Sequence, residues 1–166
     1  MVTSGALKKI STVDLTDEDW ERVVDINLNG TFRANQIFGR QMLKQGKGSI
    51  IFTSTFVGYT VGFPGVAAYA ASKSGLIGLT EVLAAEYGPQ NIRVNAILPG
   101  AVETAMYRTA NETAEERAYL TNLHALKRVG SPHELAQAAL YLASDASSFQ
   151  SGTAMLVDGG LSITRT

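Results

Sequence analysis

The chain has 166 residues, of which 45% are hydrophobic and 17% charged, and its formal net charge is −1. This length and composition fit one globular domain, and the near-neutral charge argues against a nucleic-acid or anionic-membrane partner. With no cysteine and two histidines, the sequence excludes disulfides and thiolate catalysis and offers no cluster of metal ligands. We see neither a membrane-spanning apolar run nor a secretory signal, so we expect a cytoplasmic protein.

Helical and strand-like segments alternate from the N-terminus onward. Thr16 precedes a cluster of carboxylates, as is typical of a helix N-terminus, and apolar residues then recur at helical spacing. This pattern predicts one long helix over residues 17–45. An apolar stretch at residues 49–53 predicts a buried strand, and an Ala- and Leu-rich stretch at residues 67–87 predicts a second long helix.

The C-terminal half continues this alternation with four more segments. They are a strand over residues 91–98, an irregular helical stretch over residues 103–126, a helix from Pro132 to about residue 144, and a strand over residues 154–157. Pro99 and Gly100 end the first of these strands. Ser131 is the predicted N-cap of the third segment, because proline is favoured at the first position of a helix.

Near-continuous apolar strands between helices are typical of a parallel sheet that is covered on both faces. We therefore predict an α/β fold with a doubly wound parallel sheet. Its three strands lie in the spatial order 49–54, 92–98 and 154–157, and right-handed crossovers connect them. We assign residues 1–166 to a single domain. Three strands are fewer than such a domain normally has, so we interpret the sheet as part of a Rossmann-like one.

The most reactive pattern is a tyrosine four residues before a lysine. On a helix, Tyr69 and Lys73 share one face, and an ammonium beside a phenol favours the phenolate and lowers its pKa. Tyr69 could then exchange a proton with a substrate oxygen near neutral pH. Such a spacing also arises by chance. Ser54 and Thr55 strengthen the catalytic interpretation, since they follow a strand at the edge where open α/β sheets bind ligands.

The order of these motifs resembles the short-chain dehydrogenase/reductase family, in particular its members that are similar to 3-oxoacyl-ACP reductase. The resemblance runs from about residue 15 to residue 160. It rests on Ser54-Thr55, Gly58, Pro64-Gly65, the segment from Ala68 to Lys73, Ile92 to Asn95, and Pro99-Gly100. The family resemblance implies hydride transfer between NAD or NADP and a small-molecule carbonyl or alcohol.

The resemblance also implies roles for single residues. Tyr69 matches the catalytic acid/base, and Lys73 matches the lysine that lowers the tyrosine pKa and holds the nicotinamide ribose. Asn27 matches the asparagine that anchors a proton-relay water, although a helix-interior asparagine can also simply bond the backbone. Thr55 fits the substrate-orienting position slightly better than Ser54, and both stay open at this point.

The loop after the second strand resembles the one that meets the nicotinamide carboxamide. Pro99, Gly100, Val102 and Thr104 are the candidate cofactor contacts there, and the alternative is a turn followed by a helix N-cap at Thr104. Residues 103–126 correspond to the mobile substrate lid. Within this lid, Met106, Tyr107 and Leu120 could face the substrate or pack in the core, and both alternatives are equally open. We expect His124, in the same stretch, to be structural or exposed.

The sequence does not contain the family's glycine-rich pyrophosphate turn or its selector for the adenine ribose. We therefore expect a truncated member in which binding of NAD or NADP is weak and activity is impaired. A non-catalytic remnant that self-associates or binds a partner is the alternative. We expect a homo-oligomer, a dimer or tetramer, formed through the two long helices or through an unpaired strand edge.

Overall fold

The computed structural model describes residues 5–164. Three strands and six α-helices make up the framework of this part of the chain. The strands are β1 (Gly48–Thr53), β2 (Ile92–Pro99) and β3 (Ala154–Val157). The helices are α1 (Asp17–Val24), α2 (Gly30–Gln45), α3 (Ala67–Tyr87), α4 (Ala105–Ala110), α5 (Ala114–Leu123) and α6 (Pro132–Ala143).

The three strands form one parallel sheet in the order β1-β2-β3. Gly48 lies opposite Ile92 in the first pairing, and Ala96 lies opposite Ala154 in the second. This order and direction confirm the predicted α/β class and the strand positions, which the apolar stretches of the sequence had indicated. Within residues 5–164, no helix is long and apolar enough to span a bilayer.

Helices cover both faces of the sheet, as expected for strands that are apolar on both sides. On one face, Phe52 and Val94 pack with Leu83 of α3. On the other face, Ile51 and Ile97 pack with Leu142 of α6, which is fully buried. This arrangement fixes the carboxyl ends of β1 and β2 next to the start of α3.

The predicted helix over residues 17–45 is not a continuous α-helix. A π-helical turn, Asp25–Asn29, separates α1 from α2, and the Gly30 N–H donates to the Asp25 carbonyl five residues earlier. Asn27 lies inside this turn, where its side chain is fully buried. A π turn inserts one extra residue into a helix. The apolar periodicity of the sequence does not reveal it, because the apolar spacing is nearly the same on both sides of a single π turn.

The irregular stretch predicted over residues 103–126 consists of two short helices. Asn111 leaves helical geometry after α4, and Thr113 then caps α5 through a reciprocal capping box with Glu116. The Thr113 hydroxyl accepts from the Glu116 N–H at 3.1 Å, and the Glu116 carboxylate accepts from the Thr113 N–H at 3.1 Å. Local capping therefore explains why the helical pattern is interrupted here.

Asn95 attaches the loop before β3 to the centre of the sheet. Its side chain is fully buried, and its Nδ2 donates to the Gln150 carbonyl at 2.9 Å. Its Oδ1 accepts from the Thr153 hydroxyl at 2.8 Å and from the Thr153 N–H at 3.2 Å. Because β3 has four residues and pairs only on one side among the described strands, these bonds fix its register.

Replacing Asn95 by alanine is expected to lower the free energy of unfolding by about 3 kcal/mol, because buried polar partners lose their hydrogen bonds. Urea unfolding followed by circular dichroism measures the change. The control is Asn122→Ala on an exposed position of α5, which should shift stability by no more than about 0.5 kcal/mol. Equal effects of the two substitutions would contradict this description of β3.

Candidate active site

The candidate active site lies at the carboxyl edge of the sheet. Ser54 and Thr55 follow β1 directly, Pro99 ends β2, and α3 carries Tyr69 and Lys73 in its first two turns. The strands are buried on both faces, and the hydroxyl side chains of the site come from the residues that directly follow β1. Open α/β sheets bind their ligands at this edge.

The Thr55 hydroxyl lies close enough to the Tyr69 hydroxyl at this edge to affect its pKa. Burial raises the pKa of Tyr69, and the hydrogen bond with Thr55 opposes that rise without cancelling it. This outcome differs from the expectation that Lys73 lowers the pKa of the phenol. In the structure desolvation is the larger effect, so Tyr69 is a neutral phenol at physiological pH.

Lys73 is buried, with 3% of its surface exposed. Its ammonium donates to the Thr53 carbonyl at the end of β1, with an N–O distance of 2.8 Å. Burial disfavours the charged form and lowers the pKa of Lys73 from 10.5 to about 8. The ammonium is thus held at the strand end, and burial and Thr55, rather than Lys73, set the direction of the Tyr69 pKa shift.

The two candidate hydroxyls after β1 point to different partners. Ser54 donates to the Lys73 carbonyl at 2.7 Å, in a buried bond between β1 and α3. Thr55 is the residue whose hydroxyl meets the Tyr69 hydroxyl, and it also accepts from the Val57 N–H at 3.3 Å. The geometry therefore favours Thr55 as the hydroxyl that could orient a substrate oxygen, while Ser54 connects the strand to the helix.

Asn27 lies behind the cluster and uses both ends of its amide. Its Oδ1 accepts from the Ala6 N–H at 2.8 Å, and its Nδ2 donates to the Ala6 carbonyl and the Ser72 hydroxyl, both at 3.0 Å. The Asn27 carbonyl accepts from the Thr31 hydroxyl at 2.8 Å. Its side chain thus joins the N-terminal segment to α3, immediately beside Lys73.

The loop after β2 passes close to the turn after β3. The Gly100 N–H donates to the Val157 carbonyl at 3.1 Å, and a Cβ at Gly100 would lie 2.8 Å from the Asp158 Cα. Only glycine fits this approach. Val102 forms a bridge with Gly130, and Thr104 caps α4 by accepting from the Tyr107 N–H at 3.2 Å.

The side chains of the proposed lid differ in how far they are buried. Tyr107 is buried, which favours a packing role, whereas Met106 is exposed on the same helix. The lid residue His124 is buried with both ring nitrogens engaged, so of the two expectations for it, structural or exposed, the first holds.

Sequence reasoning did not single out Ser72, which connects two of the site residues. It accepts from Asn27 and donates to the Tyr69 carbonyl at 2.9 Å. Its position directly before the lysine of the motif is the feature that could have identified it. In the part of the chain that the structure describes, no group of three or more acidic or histidine side chains could hold a metal ion.

The lowered pKa of Lys73 predicts that stability rises with pH. Between about pH 8 and pH 10.5 the unfolded chain binds a proton at this residue that the folded chain has lost, so raising the pH favours folding. We expect this residue to add roughly 2 kcal/mol to the free energy of unfolding between about pH 7 and pH 9.5. The Lys73→Met variant should lack this increment in urea titrations at the two pH values. If the free energy of unfolding changed equally with pH in both proteins, that result would contradict the burial of the Lys73 charge.

The sequence profile described as "Enoyl-(Acyl carrier protein) reductase" matches residues 2–162. Together with the parallel sheet and the Tyr-x-x-x-Lys cluster, this match shows that the chain belongs to the short-chain dehydrogenase/reductase family, and the predicted resemblance is confirmed.

Individual relatives support the same family. The chain is 44% identical over 160 residues to 3-oxoacyl-[acyl-carrier-protein] reductase FabG of Thermotoga maritima, with 96% of this chain and 64% of the relative covered. It is 43% identical over 145 residues to 2,5-dichloro-2,5-cyclohexadiene-1,4-diol dehydrogenase of Sphingobium indicum, with 86% and 58% covered.

Solved structures also match this chain in fold. A gluconate 5-dehydrogenase from Burkholderia cenocepacia, in complex with NADP and tartrate, superposes with a TM-score of 0.93 at 31% identity, with 97% of this chain and 63% of that chain covered. The chain thus spans somewhat less than two thirds of the proteins it resembles.

Proposed function

We propose that this chain carries the catalytic cluster of an NAD(P)-dependent oxidoreductase that reduces a carbonyl or oxidises an alcohol. The observation that supports this most strongly is the proximity of the Tyr69 and Thr55 hydroxyls, with the buried Lys73 ammonium on the same sheet edge. Family membership supports the same reaction type.

Tyr69 would act as the proton donor in carbonyl reduction. Because its pKa is raised, the phenol keeps its proton until negative charge develops on the substrate oxygen. Thr55 would donate a second hydrogen bond to that oxygen and fix its position. Asn27 would anchor a relay water by exchanging one of its present partners for it, since its side chain bonds Ala6 and Ser72 and its backbone carbonyl accepts from the Thr31 hydroxyl.

The residues at this edge fit the nicotinamide half of a dinucleotide. A buried ammonium suits the ribose hydroxyls. In the loop after Gly100, the Ala101 N–H bonds His124 and the Glu103 N–H bonds Gly130, so the backbone of Val102 between them would meet a planar carboxamide. Tyr69, Lys73, Pro99, Gly100, Val102 and Thr104 are the proposed contacts. When bound, NAD or NADP supplies the hydride. Residues 103–126, the proposed lid, would exclude water from the reacting centre.

These 166 residues alone are proposed to bind NAD or NADP weakly, because no glycine-rich turn at a helix N-terminus is present to hold the pyrophosphate. A chimera therefore provides the test of activity. In it, the stretch of Thermotoga maritima FabG that this chain does not match precedes Gly5.

The substrate is proposed to be a small carbonyl compound or its alcohol. The relatives act on different substrates by name, so we suggest a carbonyl panel of one 3-oxoacyl thioester and one keto sugar acid. We expect the chimera to oxidise NADPH with at least one panel member. A folded chimera that binds NADPH but oxidises none of it with either compound would argue against the proposal and favour a non-catalytic binding module.

Self-association is the proposed assembly, through a groove between α2 and α3. Phe32, Leu79 and Val82 line this groove, and Val82 is 55% exposed. An exposed apolar surface of this kind is typical of an interface, and a two-fold pairing of the helices would close it.

We expect sedimentation velocity at micromolar concentration to show a dimer or tetramer, and Val82→Asp to weaken association roughly 100-fold because a carboxylate would be buried unpaired. The control is Val13→Asp, at a 90% exposed position before α1. A monomeric wild-type chain, or equal effects of both substitutions, would contradict this assembly.

A further inference from the structure

His124 lies where the proposed lid meets the loop after β2. It is the C-cap residue of α5, and 1% of its surface is exposed. One ring nitrogen, Nδ1, is 2.7 Å from the Leu120 carbonyl in the lid helix. The other, Nε2, accepts from the Ala101 N–H at 3.3 Å. A single side chain therefore contacts both segments.

The partners of the ring determine its tautomer. The Leu120 carbonyl can only accept and the Ala101 N–H can only donate, so the proton of the neutral ring resides on Nδ1 and the lone pair on Nε2. The surroundings leave the ring little freedom, because a Cβ at Gly159 would lie 3.3 Å from the His124 Cδ2. The Leu126 N–H also donates to the Gly159 carbonyl at 3.1 Å.

Ala101 is the residue between Gly100 and Val102, two of the proposed contacts of the nicotinamide carboxamide. The hydrogen bond from Ala101 to His124 fixes the orientation of the peptide group that joins Gly100 to Ala101. We infer that His124 is a positioning residue that joins the proposed lid to the cofactor-facing loop, so that the loop is held in its binding geometry by the end of α5. The consequence for cofactor binding rests on the proposed function, whereas the connection that His124 makes between the two segments does not depend on it.

The wild-type chain provides the first test, which needs no variant. Long-range proton–nitrogen correlation spectra of the ¹⁵N-labelled imidazole report which ring nitrogen carries the proton. We expect a protonated Nδ1 and an unprotonated Nε2 in His124, with slow exchange of the Ala101 amide hydrogen. A proton on Nε2 would overturn the inference, because that ring could not accept from Ala101.

Two variants separate the two bonds. In His124→Gln the side-chain oxygen can still accept from Ala101, whereas in His124→Asn the side-chain amide can still donate to Leu120 but cannot reach Ala101. We expect amide exchange at Ala101 to become about tenfold faster in H124N and to stay near the wild-type rate in H124Q. A ring that serves only to fill space would make both variants alike, and that result would overturn the inference.

The consequence for cofactor binding is measured in the chimera. H124N should raise the dissociation constant for NADPH about tenfold relative to H124Q, with both variants retaining the wild-type circular dichroism spectrum. Equal affinities would overturn the positioning role. If the wild-type chimera bound no NADPH at all, the proposed function would fail, and the exchange rates of Ala101 would still decide whether His124 joins the two segments.

Discussion

Replacing Tyr69 by phenylalanine is expected to lower turnover of the carbonyl panel by the chimera roughly 1,000-fold, the size of effect that a positioned general acid provides. The substitution removes one oxygen atom and leaves the ring in place, so packing at the start of α3 should persist. The Thr55 hydroxyl loses its partner, but it keeps its bond from the Val57 N–H.

The matched control is Tyr141→Phe, which removes a phenol from the outer side of α6. Its hydroxyl donates to the Gln150 side chain at 2.9 Å, outside the proposed site. We expect that variant to turn over the panel at close to the wild-type rate. If both substitutions lowered turnover to the same degree, Tyr69 could not be the acid, and a general loss of stability would explain the result.

Joining the unmatched stretch of FabG to this chain is expected to tighten NADPH binding by at least roughly 100-fold relative to residues 1–166 alone. The reason is that this stretch is expected to supply the family's glycine-rich turn, which binds the pyrophosphate through backbone N–H groups at a helix N-terminus. Binding energy from that remote part also helps to place the reacting ring, so we expect turnover to rise together with affinity.

Calorimetric titration of both proteins with NADPH measures this difference. Lys73→Met in the chimera serves as the comparison, because it removes the ammonium proposed to contact the nicotinamide ribose while the added stretch stays intact. We expect that variant to bind more weakly than the wild-type chimera and more tightly than the 166-residue chain. Micromolar binding by the 166 residues alone would contradict the proposed division of the cofactor site.

Much of the fold could be predicted because it depends on local pattern. The segments that became β1, β2 and β3 are predominantly apolar, and Thr16 and Ser131 cap their helices as their neighbours predict. The π turn at Asn27 could not be predicted, since it accompanies bonds to Ala6 and Ser72, which are 21 and 45 residues away.

The sequence placed the candidate site residues at one edge of the sheet, but it could not give their individual contacts. Successive residues at a strand end point in different directions, so the different contacts of Ser54 and Thr55 could not be read from the sequence. The pKa of Tyr69 depends on how much of the fold surrounds the phenol, and sequence spacing gives only the nearby charge. His124 was not identified as a connection because its bond to Ala101 spans 23 residues.

The central claim is that Tyr69 and its neighbours support hydride transfer to a carbonyl. The most direct test supplies the chimera with NADPH deuterated on the transferable hydrogen and follows the alcohol product by mass spectrometry. We predict one deuterium on the carbinol carbon with the wild-type chimera and no detectable labelled alcohol with Tyr69→Phe in the same reaction time. A labelled product formed equally well by the Tyr69→Phe variant, or an absence of labelled product from a chimera that binds NADPH and both panel compounds, would contradict the claim.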